Sequence, residues 1–169
     1  MLTTSLFDSK PSRKIRSLLR LPNYLYKLHL GFLLGHRFLL LTHRGRRTGR
    51  ILKTTLEVVR YDSSTSESIV ISGWGRKADW FLNVAELPAL EIQIGRERFA
   101  PVQHILSDDE AFAVLDEWQR SHPTEARIFK KAYGLPRELS QPVLRDFVES
   151  HPMIAFRPRS ASHSAETQQ

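Results

Sequence analysis

The sequence predicts an α+β domain organised around an antiparallel sheet, and two hairpins carry that expectation. Leu90, Ile92 and Ile94 alternate with Glu91 and Gln93, a half-buried strand, and Gly95-Arg96 turns the chain straight into Phe99–Ile105. Upstream, the apolar run Phe38–Leu41 and the strand-like run Lys53–Tyr61 flank a short turn at Gly45–Gly49. Leu56 and Val58 lie on one face of the second run and Glu57 on the other.

The remaining elements follow in order. Residues 1–12 read as a loose tail, 12–21 as a short basic helix with Ile15, Leu18 and Leu19 at helical spacing, and 23–34 as a second helix after Pro22. Tyr61–Ser68 is a serine-rich connection, and Ile69–Ile71 is a β-branched run that reads as a buried strand. Gly73 and Gly75 break it, and a helix carrying Trp80 follows, ending before Pro88. Ser107-Asp108-Asp109-Glu110 is a capping box with acids in the first helical turn, where they serve the helix and not a metal. Its helix carries Ala111, Phe112, Val114, Leu115 and Trp118 inward and closes at His122-Pro123. Glu125–Tyr133, Gln141–Ser150 and Met153–Phe156 read as helix, helix and final strand. The expected organisation is a basic N-terminal segment over 1–21, a single domain over 22–157 and a polar tail over 158–169.

Composition bounds the chemistry. At 169 residues the chain can bury a core without staples, and with no cysteine it has neither disulfides nor thiolate chemistry. The seven histidines are scattered without ligand spacing, so no metal is expected. No apolar run approaches a membrane span, and a cytoplasmic location is the default expectation. Net charge is +7, concentrated at the front: residues 1–60 hold 13 Lys and Arg against two acids, and the remainder holds 12 against 16. That asymmetry asks for an anionic partner, whether a phosphorylated cofactor, nucleic acid or an acidic membrane. The basic segment over 12–34 suits peripheral membrane contact, a lid over a pocket, or simple packing on the domain.

Two stretches carry candidate chemistry. The turn His43–Arg50 presents Arg44, Arg46, Arg47 and Arg50 within a few residues, followed by Lys53, Thr54 and Thr55. Guanidinium forks, hydroxyls and glycine-freed N–H groups suit a phosphodiester or carboxylates, and a solvated basic turn is the alternative. The second stretch, Ser68–Asn83, runs strand, glycine corner, helix, with Trp74 and Trp80 as flat walls for a ligand or as core residues. Gly73-Trp74-Gly75-Arg76-Lys77-Ala78 fits a dinucleotide fingerprint, but the hairpin that follows replaces the crossover which that fold needs. No nucleophile elbow and no P-loop occur.

Taken together, Leu-Leu-Thr-His-Arg-Gly-Arg-Arg-Thr-Gly at 40–49, Lys53-Thr54-Thr55, Ser-Gly-Trp-Gly at 72–75 and Asp-Trp-Phe-Leu-Asn at 79–83 resemble the deazaflavin-dependent nitroreductase family. The resemblance spans about residues 24–122. It implies a mainly antiparallel split β-barrel of the FMN-binding type with flanking helices, which binds reduced coenzyme F420 and passes a hydride to a quinone, nitro compound or activated enone. By position, Arg46, Arg47, Thr48, Lys53 and Thr54 would hold the phosphate and glutamyl tail. Ile71, Ser72, Gly73 and Trp74 would line the ring, and Trp80 and Asn83 would support the pocket. Leu52 stands where the family has an arginine, and the tyrosine-bearing substrate segment is unmatched after His122, which leaves Tyr133 as the candidate at the acceptor.

Hydride transfer needs alignment and water exclusion more than an acid–base dyad, so no catalytic side chain is assigned, and Ser72, Tyr133 or water could give the proton. FMN in the same barrel is the alternative cofactor, since a phosphate seat and a ring wall suit both. A basic module docking on nucleic acid or anionic lipid is the alternative from another class, although the turn lacks the aromatic series of a nucleic-acid groove. Barrels of this kind are often homodimers.

Overall fold

The computed structural model describes residues 35–159. The two predicted N-terminal helices and the residues beyond 159 lie outside the described residues. Seven strands form one antiparallel sheet: β1 (Phe38–Arg44), β2 (Ile51–Asp62), β3 (Glu67–Ile71), β4 (Glu91–Ile94), β5 (Glu97–Phe99), β6 (Pro101–Ile105) and β7 (Met153–Pro158). They are hydrogen-bonded in the order β5-β4-β1-β2-β3-β7-β6.

The outermost strands of that order, β5 and β6, are separated in the chain by Ala100 alone. One residue spans at most about 3.6 Å, so the two edges must meet, and the sheet curls into a nearly closed barrel. The predicted strand Phe99–Ile105 is consequently two strands. Glu97–Phe99 pair with β4 as the hairpin requires, whereas Pro101–Ile105 leave it and pair with β7. Pro101 marks the division, because it lacks an N–H and the first position of a strand tolerates that.

β2 serves both halves of the barrel. Ile51–Glu57 pair with β1 and Val58–Asp62 with β3, with a register shift between Val58 and Arg60. Such a bulge bends a strand and raises its twist, which carries one 12-residue strand around the corner.

Strand alternation then sorts two cores. Leu39, Leu41, Leu56, Val70, Ile92, Ile94, Ile154 and Phe156 fill the barrel, and α1 (Asp79–Glu86) plugs it with Trp80, Phe81 and Val84. The other face of β3 and β7, through Ile69, Ile71, Met153 and Ala155, meets a layer built from α2 (Asp108–Ser121), α3 (Pro123–Ala132) and α4 (Gln141–Ser150). Because β3 is buried on both faces, its sequence is a continuous apolar run. The predicted capping box starts α2: Ser107 N–H donates to Glu110 Oε2 at 2.7 Å, and Glu110 N–H donates to Ser107 Oγ at 3.3 Å.

Gln103 of β6 ties the plug to the wall. Its Nε2 donates to the Val84 carbonyl at 2.5 Å, and its Oε1 accepts from Ala89 N–H at 2.8 Å. Replacing Gln103 by leucine strands both backbone groups and is expected to cost about 2 kcal/mol. Urea unfolding reads this as a lower midpoint at unchanged slope.

Candidate functional site

The sheet parts along β2. Ile51–Glu57 have β1 on one side and, among the described residues, no strand on the other. An open strand edge offers backbone N–H and C=O groups to a ligand. The outward side chains there are Lys53, Thr55 and Glu57 of β2, with Thr42 of β1 opposite Lys53. Thr42 is 8% exposed, and the buried hydroxyls of Thr42 and Thr55 meet no hydrogen-bond partner. Leaving such groups unpaired costs about 1–3 kcal/mol each. Two orphan hydroxyls beside one lysine fit an anionic group with several acceptor oxygens, as the phosphate of a deazaflavin or flavin cofactor has. Glu91, on the far side of Thr42, is paired with Arg98 at 3.8 Å.

The basic turn sits at the end of this edge. Gly45 N–H donates to the Arg50 carbonyl and Gly49 N–H to the Gly45 carbonyl, each at 2.8 Å, which sets the shape of the turn. Arg47, Thr48 and Arg50 stand exposed, whereas Arg46 turns inward. Its Nη1 donates to Asn83 Oδ1 at 3.0 Å and meets Asp79 Oδ1 at 3.2 Å, and its backbone N–H also donates to Asn83 Oδ1 at 3.0 Å. Of the five residues assigned to the cofactor tail, Arg47 and Lys53 are therefore the exposed cations, and Arg46 clamps α1. Thr54 has the inward parity of Leu41 and meets His43 instead of the outer face.

His43 is the residue that motif reasoning missed. It is 2% exposed, takes Asn83 Nδ2 at 3.2 Å on Nδ1 and reaches Thr54 Oγ1 at 3.0 Å with Nε2. Continuing the period of Leu39 and Leu41 by two more residues would have placed it in the barrel. Burial holds the pKa of His43 below its ordinary 6.5, and burial does the same to His151 despite a backbone hydrogen bond that acts the other way. The stability that these neutral rings contribute is complete above pH 6.5 and is lost as pH falls through their depressed values. Thermal midpoints measured from pH 8 to 5 are expected to stay level and then fall below about pH 6.5.

At the other end of the open edge lies the glycine corner. Ser72 Oγ, fully buried, donates to the Gly75 carbonyl at 2.7 Å, and Ser72 N–H donates to the Pro152 carbonyl at 2.9 Å. The Tyr133 hydroxyl occupies the place a Cβ on Gly73 would take. Phe129, Phe147 and His151 hold the Tyr133 ring at centroid distances of 4.6, 5.4 and 5.5 Å. Burial, with the charge of Glu57, pushes the Tyr133 phenol up to about 12. Glu57 reaches solvent through part of its side chain, yet lost hydration raises its carboxyl, which Arg37 partly offsets.

The remaining expected site residues divide. Trp74 is 55% exposed beside the corner, whereas Trp80, at 6%, is part of the barrel core, and Ile71 faces the helical layer. The structure thus brings Gly73 and Tyr133 together at one end of the open edge. Arg47, Lys53 and the two orphan hydroxyls gather toward the other.

These features define a split barrel whose open β2 edge has a basic turn at one end and a glycine corner at the other. The sequence model of the F420H2-dependent quinone reductases matches residues 28–136, and the chain belongs to that family, an oxidoreductase family that uses reduced coenzyme F420. Among solved structures, the chain is similar to an F420-H2 dependent reductase, FDR-A, at 16% identity over 73% of this chain and 96% of that one, with a TM-score of 0.47. It is similar to a chain described as a domain-swapped dimer at 15% identity, over 86% of this chain and all (100%) of that one, with a TM-score of 0.49. A pyridoxamine 5'-phosphate oxidase-related, FMN-binding protein from Nostoc punctiforme is 20% identical over 90% of this chain and 82% of its own, with a TM-score of 0.45. No curated protein matches the sequence. Among the described residues, no helix is long and apolar enough to cross a membrane.

Proposed function

We propose that the outer face of β1 and β2 seats coenzyme F420 and that the acceptor, a quinone, nitro compound or activated enone, binds at the glycine corner under Tyr133. The observation that carries this reading is the pair of buried, unpartnered hydroxyls of Thr42 and Thr55 flanking Lys53. In this reading Thr42, Lys53, Thr55 and Arg47 hold the phosphate and tail, while Ser72–Trp74 approach the ring through backbone. The chemistry supplied by the bound cofactor is a hydride. The protein's part is to orient, to exclude water and to keep a proton at hand. Tyr133 Oη holds that proton across the neutral range, whereas the Ser72 hydroxyl is already given to the Gly75 carbonyl. Lys53 and Arg47 act on charge that is present before and after reaction, so they contribute binding and not rate.

A fluorescence titration with coenzyme F420, run beside FMN and NADPH, tests the seat. Wild type is expected to saturate with F420 alone. Thr42→Val with Thr55→Val removes two hydroxyls without changing shape, and should weaken F420 about tenfold per hydroxyl while raising the melting temperature, since two unpaired polar groups leave the interior. Unchanged affinity would move the phosphate to another face, and a preference for FMN would change the cofactor on the same barrel. Light scattering on the same samples reads the homodimer, and co-sedimentation with anionic vesicles reads membrane contact through the basic N-terminal segment. In the same reading the protein is a homodimer with peripheral membrane contact, built on a single domain over 22–157.

A further inference from the structure

We propose that His43, which lies inside the barrel, is a positioning residue for the phosphate seat on the outside. It does so by fixing where the Gly45–Gly49 turn sits on α1. The proposal rests on the reading that Arg47 and Lys53 meet the cofactor's phosphate, and extends it to a residue that the ligand never touches.

The donors of Arg46 set the direction of each hydrogen bond from Arg46 through Asn83 and His43 to Thr54. The backbone N–H of Arg46 can only donate, and so can its guanidinium, and both point at the same atom of Asn83 at 3.0 Å. That atom must be the carbonyl oxygen, because the amide nitrogen would set donors against donors. Asn83 Nδ2 then faces His43 Nδ1 at 3.2 Å, so Nδ1 accepts and carries no proton. The remaining nitrogen, Nε2, carries it and donates to Thr54 Oγ1 at 3.0 Å. One neutral tautomer satisfies Arg46, Asn83 and Thr54 together.

The rest of the turn's bonding does less to fix its place on α1. Gly45 to Arg50, Gly49 to Gly45 and the Arg44 guanidinium to the Gly49 carbonyl at 3.1 Å are all internal, and they fix shape without fixing place. Arg46 Nη1 also ties the turn to α1 through the Asp79 carboxylate at 3.2 Å and the Asp79 backbone carbonyl at 3.4 Å, but the Asp79 side chain is 88% exposed and the second bond is long, so both hold weakly. Asn83 is 3% exposed, and its amide is held from behind by His43. Without that support the amide can rotate, which leaves Arg46 and the turn that carries Arg47 held on α1 by the weaker Asp79 contacts alone.

The test compares two ligands and two substitutions in the full chain. Coenzyme F420 and its chromophore lacking the phosphate-bearing tail are titrated by fluorescence into wild type, His43→Met and His43→Gln. Glutamine can accept from Asn83 and donate to Thr54, whereas methionine fills the space and does neither. Wild type should bind F420 much more tightly than the tailless chromophore. His43→Met should lose about tenfold or more for F420 with the chromophore unchanged, and His43→Gln should recover most of the loss. Equal binding of both ligands by wild type would overturn the phosphate-seat reading itself. His43→Met binding F420 like wild type, or losing both ligands equally, would overturn the role of His43. Nitrogen-15 NMR of the wild-type imidazole needs no substitution: a Nε2–H tautomer that persists at neutral pH is expected, and a Nδ1–H tautomer would overturn the relay even if His43→Met does not fold.

Discussion

Gly75→Ala is expected to be the most destabilising single substitution at the site. Gly75 has φ +67°, a conformation that costs an L side chain about 1–2 kcal/mol. A Cβ there would also lie 2.7 Å from the carbonyl oxygen of Ser150, a backbone atom at the end of α4 that has no rotamer by which to withdraw. Either the corner lifts off α4 or α4 moves, and the bond from Ser72 N–H to Pro152 joins the same two segments. Together these should remove about 3 kcal/mol or more, a large part of a typical domain's margin. Gly49→Ala is the control, with φ +66° and nothing within 4 Å of its Cβ, so it carries the conformational cost alone. Denaturant unfolding of the two variants should differ by the contact with Ser150, and equal losses would show that the corner yields freely.

Tyr133→Phe is expected to have the largest effect on turnover, lowering kcat about a hundredfold with little change in F420 affinity, as loss of a positioned proton donor does. An unchanged kcat would assign the proton to water. Since the phenol is pushed up to about 12, the rate should show no alkaline limb from this group below about pH 10. The same shift bears on stability. A phenol whose folded value exceeds its ordinary 10 contributes stability that is present below pH 10 and is lost as pH rises through about 12. Glu57→Gln removes the charge that adds to burial here, so tyrosinate absorbance should appear at lower pH in that variant.

Much of the fold was legible because local signals agreed with tertiary ones. Gln141–Ser150 is a helix over the predicted residues, and the capping box at Ser107 starts α2 as its chemistry requires. The break at Ala100 was hidden, because whether β6 stays beside β4 or crosses to β7 depends on a partner about 50 residues later in the sequence. At the proposed site, the motifs pointed to the hairpin and the corner that border the open edge of β2. Motif position alone left open which side chains face outward. Thr54 and Thr55 look interchangeable in a list of polar residues, yet register sends one to His43 and the other to the outer face. Arg46 and Arg47 look alike too, and only the approach of Asn83 makes the first internal. Trp80, which reads equally as pocket wall or core, is drawn inside by the apolar face of α1.

The position of β7 between β3 and β6 has a consequence for how the molecule comes into being. Met153–Pro158 is the last described strand, and both β3 and β6 await it as a neighbour. During synthesis the front hairpin can form early, but the second half-sheet, the far anchor of Ser72 and the barrel's closure all wait for residues 152–158 to leave the ribosome. Pairings of such sequence separation are slow to nucleate. A nascent chain ending before Met153 therefore carries an assembled basic hairpin and an unfinished glycine corner, and it should depend on chaperones until β7 arrives.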